Sequence, residues 1–202
     1  MDISELLKHM KPMSIPRPNH LEPGGELLFT SPVVFEYYQK LGELLLDTSN
    51  LTTLGVLFVL CMPSFRPEWA VRLERVGRTL TLTYPAAPIW PVGSPLPKIE
   101  NAVAGLELKS YEAIESAWLK MIRLAHPFHS GWSGLDGETY VFGYKQHGLM
   151  TAETWSPDPN TAPGRLVRLG ESLREYALAD PVLRPEMEER IQEEAQWFET
   201  VT

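Results

Sequence analysis

The sequence has a single cysteine, Cys61, so no intrachain disulfide can staple the fold. Cys61 ends the apolar run Val56-Leu57-Phe58-Val59-Leu60-Cys61, which predicts a buried thiol without the exposed, electropositive setting that a reactive one needs. Long hydrophobic runs are also missing. The longest, Val56 to Met62, falls far short of the roughly 20 residues of a spanning helix. Residues 1–30 carry Asp2, Glu5, Lys8 and Lys11 and hold no apolar stretch of the secretory kind. With no paired cysteines, the cytoplasm is the expected compartment. Basic charge is in deficit: 18 Lys and Arg stand against 26 Asp and Glu, a net charge of −8. That balance argues against nucleic acid and against anionic membranes as partners, because both attract clustered Lys and Arg. It leaves room for a basic protein. Phosphate-binding glycine loops, the nucleophile elbow G-x-S-x-G, H-E-x-x-H and C-x-x-C are all absent, so the common nucleotide, hydrolase, zinc-protease and redox chemistries have no motif here. No cofactor and no metal are expected.

What is present reads as one α+β unit. At 202 residues the chain is long enough to bury roughly two-thirds of its unfolded surface without a metal or disulfide. Residues 1–30 form an N-terminal arm, broken by Pro12, Pro16, Pro18, Pro23 and Gly24-Gly25, with Leu21 among its few apolar anchors. Residues 31–202 form a single domain. Ser31-Pro32 opens a helix with Val34, Tyr38, Leu41 and Leu45 at helical spacing, ending near 47–50. Val56 to Met62, apolar at every position, predicts a strand buried on both faces. Trp69 to Glu74 and Thr79 to Tyr84 alternate around Gly77 and predict an antiparallel hairpin. Pro85, Pro88, Pro91, Pro95 and Pro97 make a loop, after which a short strand is placed at 103–108. Ser110 is read as the cap of a helix with the stripe Ile114, Trp118, Met121 and Ala125. A second hairpin follows at 140–144 and 149–155. Then comes a helix capped by Asn160 or Thr161, with the stripe Leu166, Leu169, Leu173 and Tyr176. Asp180-Pro181 begins a last helix with Met187, Ile191, Ala195 and Phe198 on one face. The architecture expected is an antiparallel sheet with helices packed mainly on one face.

Three regions offer candidate functional residues. His126 and His129, with Asp136 and Glu138 downstream, are ligand types for a divalent ion, but Pro127 prevents a helical pair, and the segment is read as an ordered loop. Asp136, Glu138 and Glu153 could supply an acid/base pair only if one cleft held two of them with separated pKa values. Asp136 within Gly134-Leu135-Asp136-Gly137 has a simpler role in closing the turn. Trp132 in the same loop suits a partner contact. The last helix concentrates Glu186, Glu188, Glu189, Glu193, Glu194 and Glu199, and the expected partner-binding set is Glu188, Glu189, Glu193, Trp132, Asp136 and Glu138, with the first three in solvent.

The pattern Gly134-Leu135-Asp136-Gly137-x-x-Tyr140, then Trp155-Ser156-Pro157, then a helix built like Leu166-Val167-x-Leu169-x-x-x-Leu173-x-x-Tyr176-Ala177 resembles a group of bacterial proteins of unassigned function, over the second half of the chain. It implies a fold of turn, hairpin and covering helix. In size, layout and acidic balance the chain is similar to immunity proteins of bacterial toxin systems. That resemblance implies a non-catalytic binding protein that neutralises a cognate toxin. The alternatives are a small hydrolase-like enzyme using the 126–138 loop, or a structural or assembly subunit.

Overall fold

The computed structural model describes residues 20–23, 32–46, 55–89, 95–127, 137–146 and 148–201. Seven strands form one antiparallel sheet: β1 (Glu22–Pro23), β2 (Val56–Pro63), β3 (Trp69–Glu74), β4 (Thr79–Pro85), β5 (Ile99–Gly105), β6 (Glu138–Lys145) and β7 (Leu149–Trp155). Their order is β1-β7-β6-β2-β3-β4-β5, so the wholly apolar β2 is central and every one of its residues is buried. Among the described residues four helices accompany the sheet: α1 (Pro32–Leu41), α2 (Leu108–Arg123), α3 (Ala162–Leu178) and α4 (Arg184–Gln196). A π-turn at Gly42–Leu46 extends α1, and a 3₁₀ turn at Trp197–Thr200 extends α4. The α+β class and the helices gathered mainly on one face are as the sequence predicts.

Because side chains alternate across a pleated strand, hydrogen-bonded register decides which residues share a face. On the face toward α2, α3 and α4, one transverse row runs Tyr144–Leu57–Leu73–Leu80–Ala104 and the next Ala152–Phe142–Val59–Val71–Leu82–Ala102. These rows meet Ile114, Trp118 and Met121 of α2, Leu166, Leu169 and Leu173 of α3, and Ile191, Ala195 and Phe198 from the last helix and its 3₁₀ turn. The opposite face is covered over Phe58, Leu60, Met62 and Ala70 by Leu41, Leu45 and Leu46, a smaller second cluster.

Both hairpins lie where alternation places them, and the stripe of α3 and Ile114, Trp118 and Met121 of α2 where helical periodicity does; Ala125 falls past the end of α2. The β3–β4 turn takes Gly77 and Arg78 to φ 79° and 49°, the left-handed region where glycine is at home and arginine is not. Thr161 caps α3, its hydroxyl accepting from the Gly164 amide at 3.3 Å. Three boundaries differ from expectation. The strand placed at 103–108 is Ile99–Gly105, and α2 starts at Leu108, so Ser110 lies inside the helix, wholly buried. The reason is a cap from a distant part of the chain. Glu107 adopts extended backbone, and its amide donates to the Glu188 carboxylate at 2.6 Å. The last helix likewise begins at Arg184, because the Asp180 carboxylate accepts from the Val182 amide at 2.9 Å and closes a turn over 181–183. The expected arm is docked at its described residues: Leu21 is fully buried, and its carbonyl accepts from the His126 amide at 3.1 Å. The expected helix end at 47–50 lies outside the described residues.

Candidate functional site

The third transverse row of the helical face is where polarity enters the sheet. It runs Thr154–Tyr140–Cys61–Trp69. Gly170 sets α3 close over Val59 and Phe142 in the preceding row. Glu171 and Arg174, one turn apart on α3, reach this third row at Tyr140 and Trp69.

Glu171 reaches Tyr140, whose hydroxyl has one hydrogen and two carboxylate acceptors: Glu138 Oε2 at 2.5 Å and Glu171 Oε1 at 3.0 Å. Each carboxylate also meets a guanidinium. Arg66 pairs with Glu138, and Arg174 with Glu171 at 3.3 Å. Arg174 lies 5.6 Å from the centroid of the Trp69 ring, whose edge faces Tyr140. The loop after β2 is tied down beside this cluster: Ser64 Oγ donates to the Gly137 carbonyl at 2.9 Å and accepts from its amide at 3.1 Å. Burial first, then the neighbouring Cys61 and carboxylates, raises the Tyr140 phenol well above its ordinary value. Burial pushes the Cys61 thiol up to about 12, so it stays protonated and non-nucleophilic at neutral pH.

Cys61, Glu138 and Glu171 are the described residues able to hold a metal ion, with one donor atom of each within 4.8 Å of the others. The donor set is poorly disposed for it. Both carboxylates already have arginine counter-charges, and the thiol would have to lose its proton. The geometry matches a polar clamp that fixes α3 to the end of the sheet and binds β6 to the 64–66 loop.

The expected site residues separate in space. Glu138 belongs to the clamp and is engaged inward. Trp132, Asp136 and His129 lie outside the described residues. His126 sits just beyond α2 with its ring stacked on His20, centroids 3.3 Å apart. Glu153 lies on the opposite face of the sheet, remote in register from any pairing with Glu138.

The last helix divides its glutamates in two. Glu188, expected in solvent, is half-buried. It accepts from the Glu107 amide at 2.6 Å and from the Tyr176 hydroxyl at 3.1 Å. Glu194 accepts from Ser172 Oγ at 3.0 Å and lies 3.8 Å from Arg168. Glu186, Glu189 and Glu193 are exposed, fall on one stripe at spacing i, i+3, i+7 opposite the buried Ile191 and Ala195, and pair with no cation among the described residues. Val182 and Leu183 stand exposed at the N-terminal end of this stripe, with 84% and 55% of their surface in solvent.

The clamp escaped sequence reasoning because its members are distant in the chain and only register joins them. Cys61 opposite Tyr140 follows once β2 and β6 are known to be neighbours. Glu171 follows from the α3 stripe, one position past Gly170. No helix is long and apolar enough to cross a membrane among the described residues. No family model, curated protein or solved structure matches the chain.

Proposed function

We propose that this chain is a non-catalytic binding protein, an immunity protein that neutralises a cognate bacterial toxin by covering a basic surface of it. The observation that carries the reading is the acidic stripe Glu186, Glu189 and Glu193, which forms no ion pair with a described residue, beside the exposed Val182 and Leu183. Like charges at this spacing cost an isolated helix a few tenths of a kcal/mol per pair. Glu186 has a local account, since it lies in the first turn, where the helix dipole favours an anion. Arg190 is the one cation on this face, four positions after Glu186 and three before Glu193, and forms no ion pair with either among the described residues; a basic partner would supply the remaining counter-charge for Glu189 and Glu193. Charge for steering next to an apolar contact is the usual composition of a protein-binding surface. The clamp at Tyr140 supports the same reading from the other side, because its ionisable groups are matched to one another and not aimed outward.

The test is to search the reading frames beside the chain's gene for a basic, toxin-like protein and to co-express the chain with it. The chain should relieve its toxicity and co-purify with it in a fixed ratio. The variant Glu186→Lys, Glu189→Lys, Glu193→Lys should fold and lose both properties. Retention of both by a folded triple variant overturns the assignment to this surface. Absence of protection by the native chain overturns the function.

A further inference from the structure

The N-terminal arm meets the sheet through two acidic side chains. β1 is only two residues long, and its register sets Glu22 directly opposite Glu153 of β7. Directly opposed like charges destabilise an antiparallel pair. Neither carboxylate forms an ion pair with a described residue. Glu153 is half-buried on the face that carries α1, where Tyr38 is its titratable neighbour, Glu22 faces it from β1, and β6 offers the apolar Val141. On the other side of the arm, Leu21 is buried, its carbonyl holds the His126 amide, and His20 stacks on His126. Among the described residues the arm is thus seated by the buried Leu21, its carbonyl bond to the His126 amide, the His20–His126 stack and a two-residue strand pairing, against a carboxylate pair that opposes it.

We propose that residues 20–23 form a pH-sensitive latch on β7, seated when the Glu22–Glu153 pair carries at most one charge and loosened when it carries two. Burial, and next the charge of Glu22, raise the Glu153 carboxyl above its ordinary value. A carboxyl whose pKa is higher in the seated state binds more protons there than when released. Seating therefore weakens as pH rises from the ordinary carboxylate range to the raised value, and stays at the weaker level above it. Release uncovers the β7 edge at Ala152 and Glu153. The latch is independent of the acidic stripe on α4.

Hydrogen exchange of the His126 amide, whose acceptor is Leu21, reports seating in the full-length chain. After correction for intrinsic rates, its protection should fall as pH rises above the ordinary carboxylate range and then level off, by about tenfold for each unit by which the Glu153 pKa is raised. The amide of Val59 in the central strand serves as the control for global unfolding and should not follow. Glu153→Gln removes the charge with little change of shape and should leave His126 protection flat over this range. Glu22→Gln, on the outer strand, should flatten it in part. Flat protection in the native chain, an unchanged fall in Glu153→Gln, or a parallel fall at Val59 would overturn the latch.

Discussion

At the scale of single residues, burial and partnering decide what each polar group contributes. Tyr140 is buried and gives its hydroxyl to two carboxylates that also hold arginines. Hydrogen bonds to charged groups contribute roughly 1.5–3 kcal/mol net. Tyr140→Phe should lower stability by about that amount, seen in urea titrations as a lower midpoint with unchanged slope. Ser110 is the reverse case. It is fully buried within α2, and its Oγ has no partner among the described residues. Ser110→Ala removes an unmatched polar atom and raises helix propensity, so the same titration should show a gain of about 0.5–1 kcal/mol. Cys61 gives a prediction in kinetics. With its thiol pushed up to about 12 and buried at the centre of the sheet, it should resist alkylation at neutral pH in the folded protein and react at the rate of an ordinary thiol once denaturant unfolds it. Rapid labelling of the folded chain would show that β2 opens locally.

Among the elements, α4 tests how far helix glutamates differ when only their surroundings do. Glu188 caps the start of α2 through the Glu107 amide and holds the Tyr176 hydroxyl, whereas Glu189, one residue on, is exposed and forms no ion pair with a described residue. Glu188→Ala should cost about 1–3 kcal/mol, because it leaves a helix-start amide without its acceptor. Glu189→Ala should stay within about 0.5 kcal/mol. Equal effects in thermal or chemical unfolding would remove Glu188 as a link between α4 and α2. The same helix shows what sequence makes legible. Its buried stripe Ile191, Ala195 and Phe198 could be read from 3.6-residue periodicity, as could the central strand from its unbroken apolar run and the β3–β4 hairpin from alternation about Gly77. Each of those signals is local and set by which face meets the core. The start of α2 was not legible, because the acceptor for its first amide comes from 81 residues away, and Ser110 offered a false local cap. β5 was misplaced for a related reason. Its inward residues on the helical face are Ala102 and Ala104, too small to produce a strong alternation. The clamp was legible only in its parts: Cys61 as buried and inert, Tyr140 as a strand residue and Glu138 as a polar candidate, with their meeting fixed by register across β2 and β6.

For the whole molecule, a net charge of −8 is a long-range property whose effect depends on where the charges stay free. Internal pairing withdraws Glu138, Glu171, Glu188 and Glu194 from the outward field, and leaves Glu186, Glu189 and Glu193 as a compact negative stripe with Val182 and Leu183 at its end. Against a basic partner these two features act at different stages of binding. Charges act before contact, over a screening length of about 10 Å at 0.1 M salt, and so govern encounter. Apolar side chains act only once water is expelled, and so govern residence. Reversing Glu186, Glu189 and Glu193 to lysine should slow association by an order of magnitude or more at low salt, with the difference from the native chain shrinking as salt rises. Val182→Ser with Leu183→Ser should leave association nearly unchanged and speed dissociation. Stopped-flow association and surface-capture dissociation over a salt series separate the two. If the charge reversal altered only dissociation, or if native association were indifferent to salt, the stripe would be an ordinary solvated helix face and the partner would bind elsewhere on the molecule.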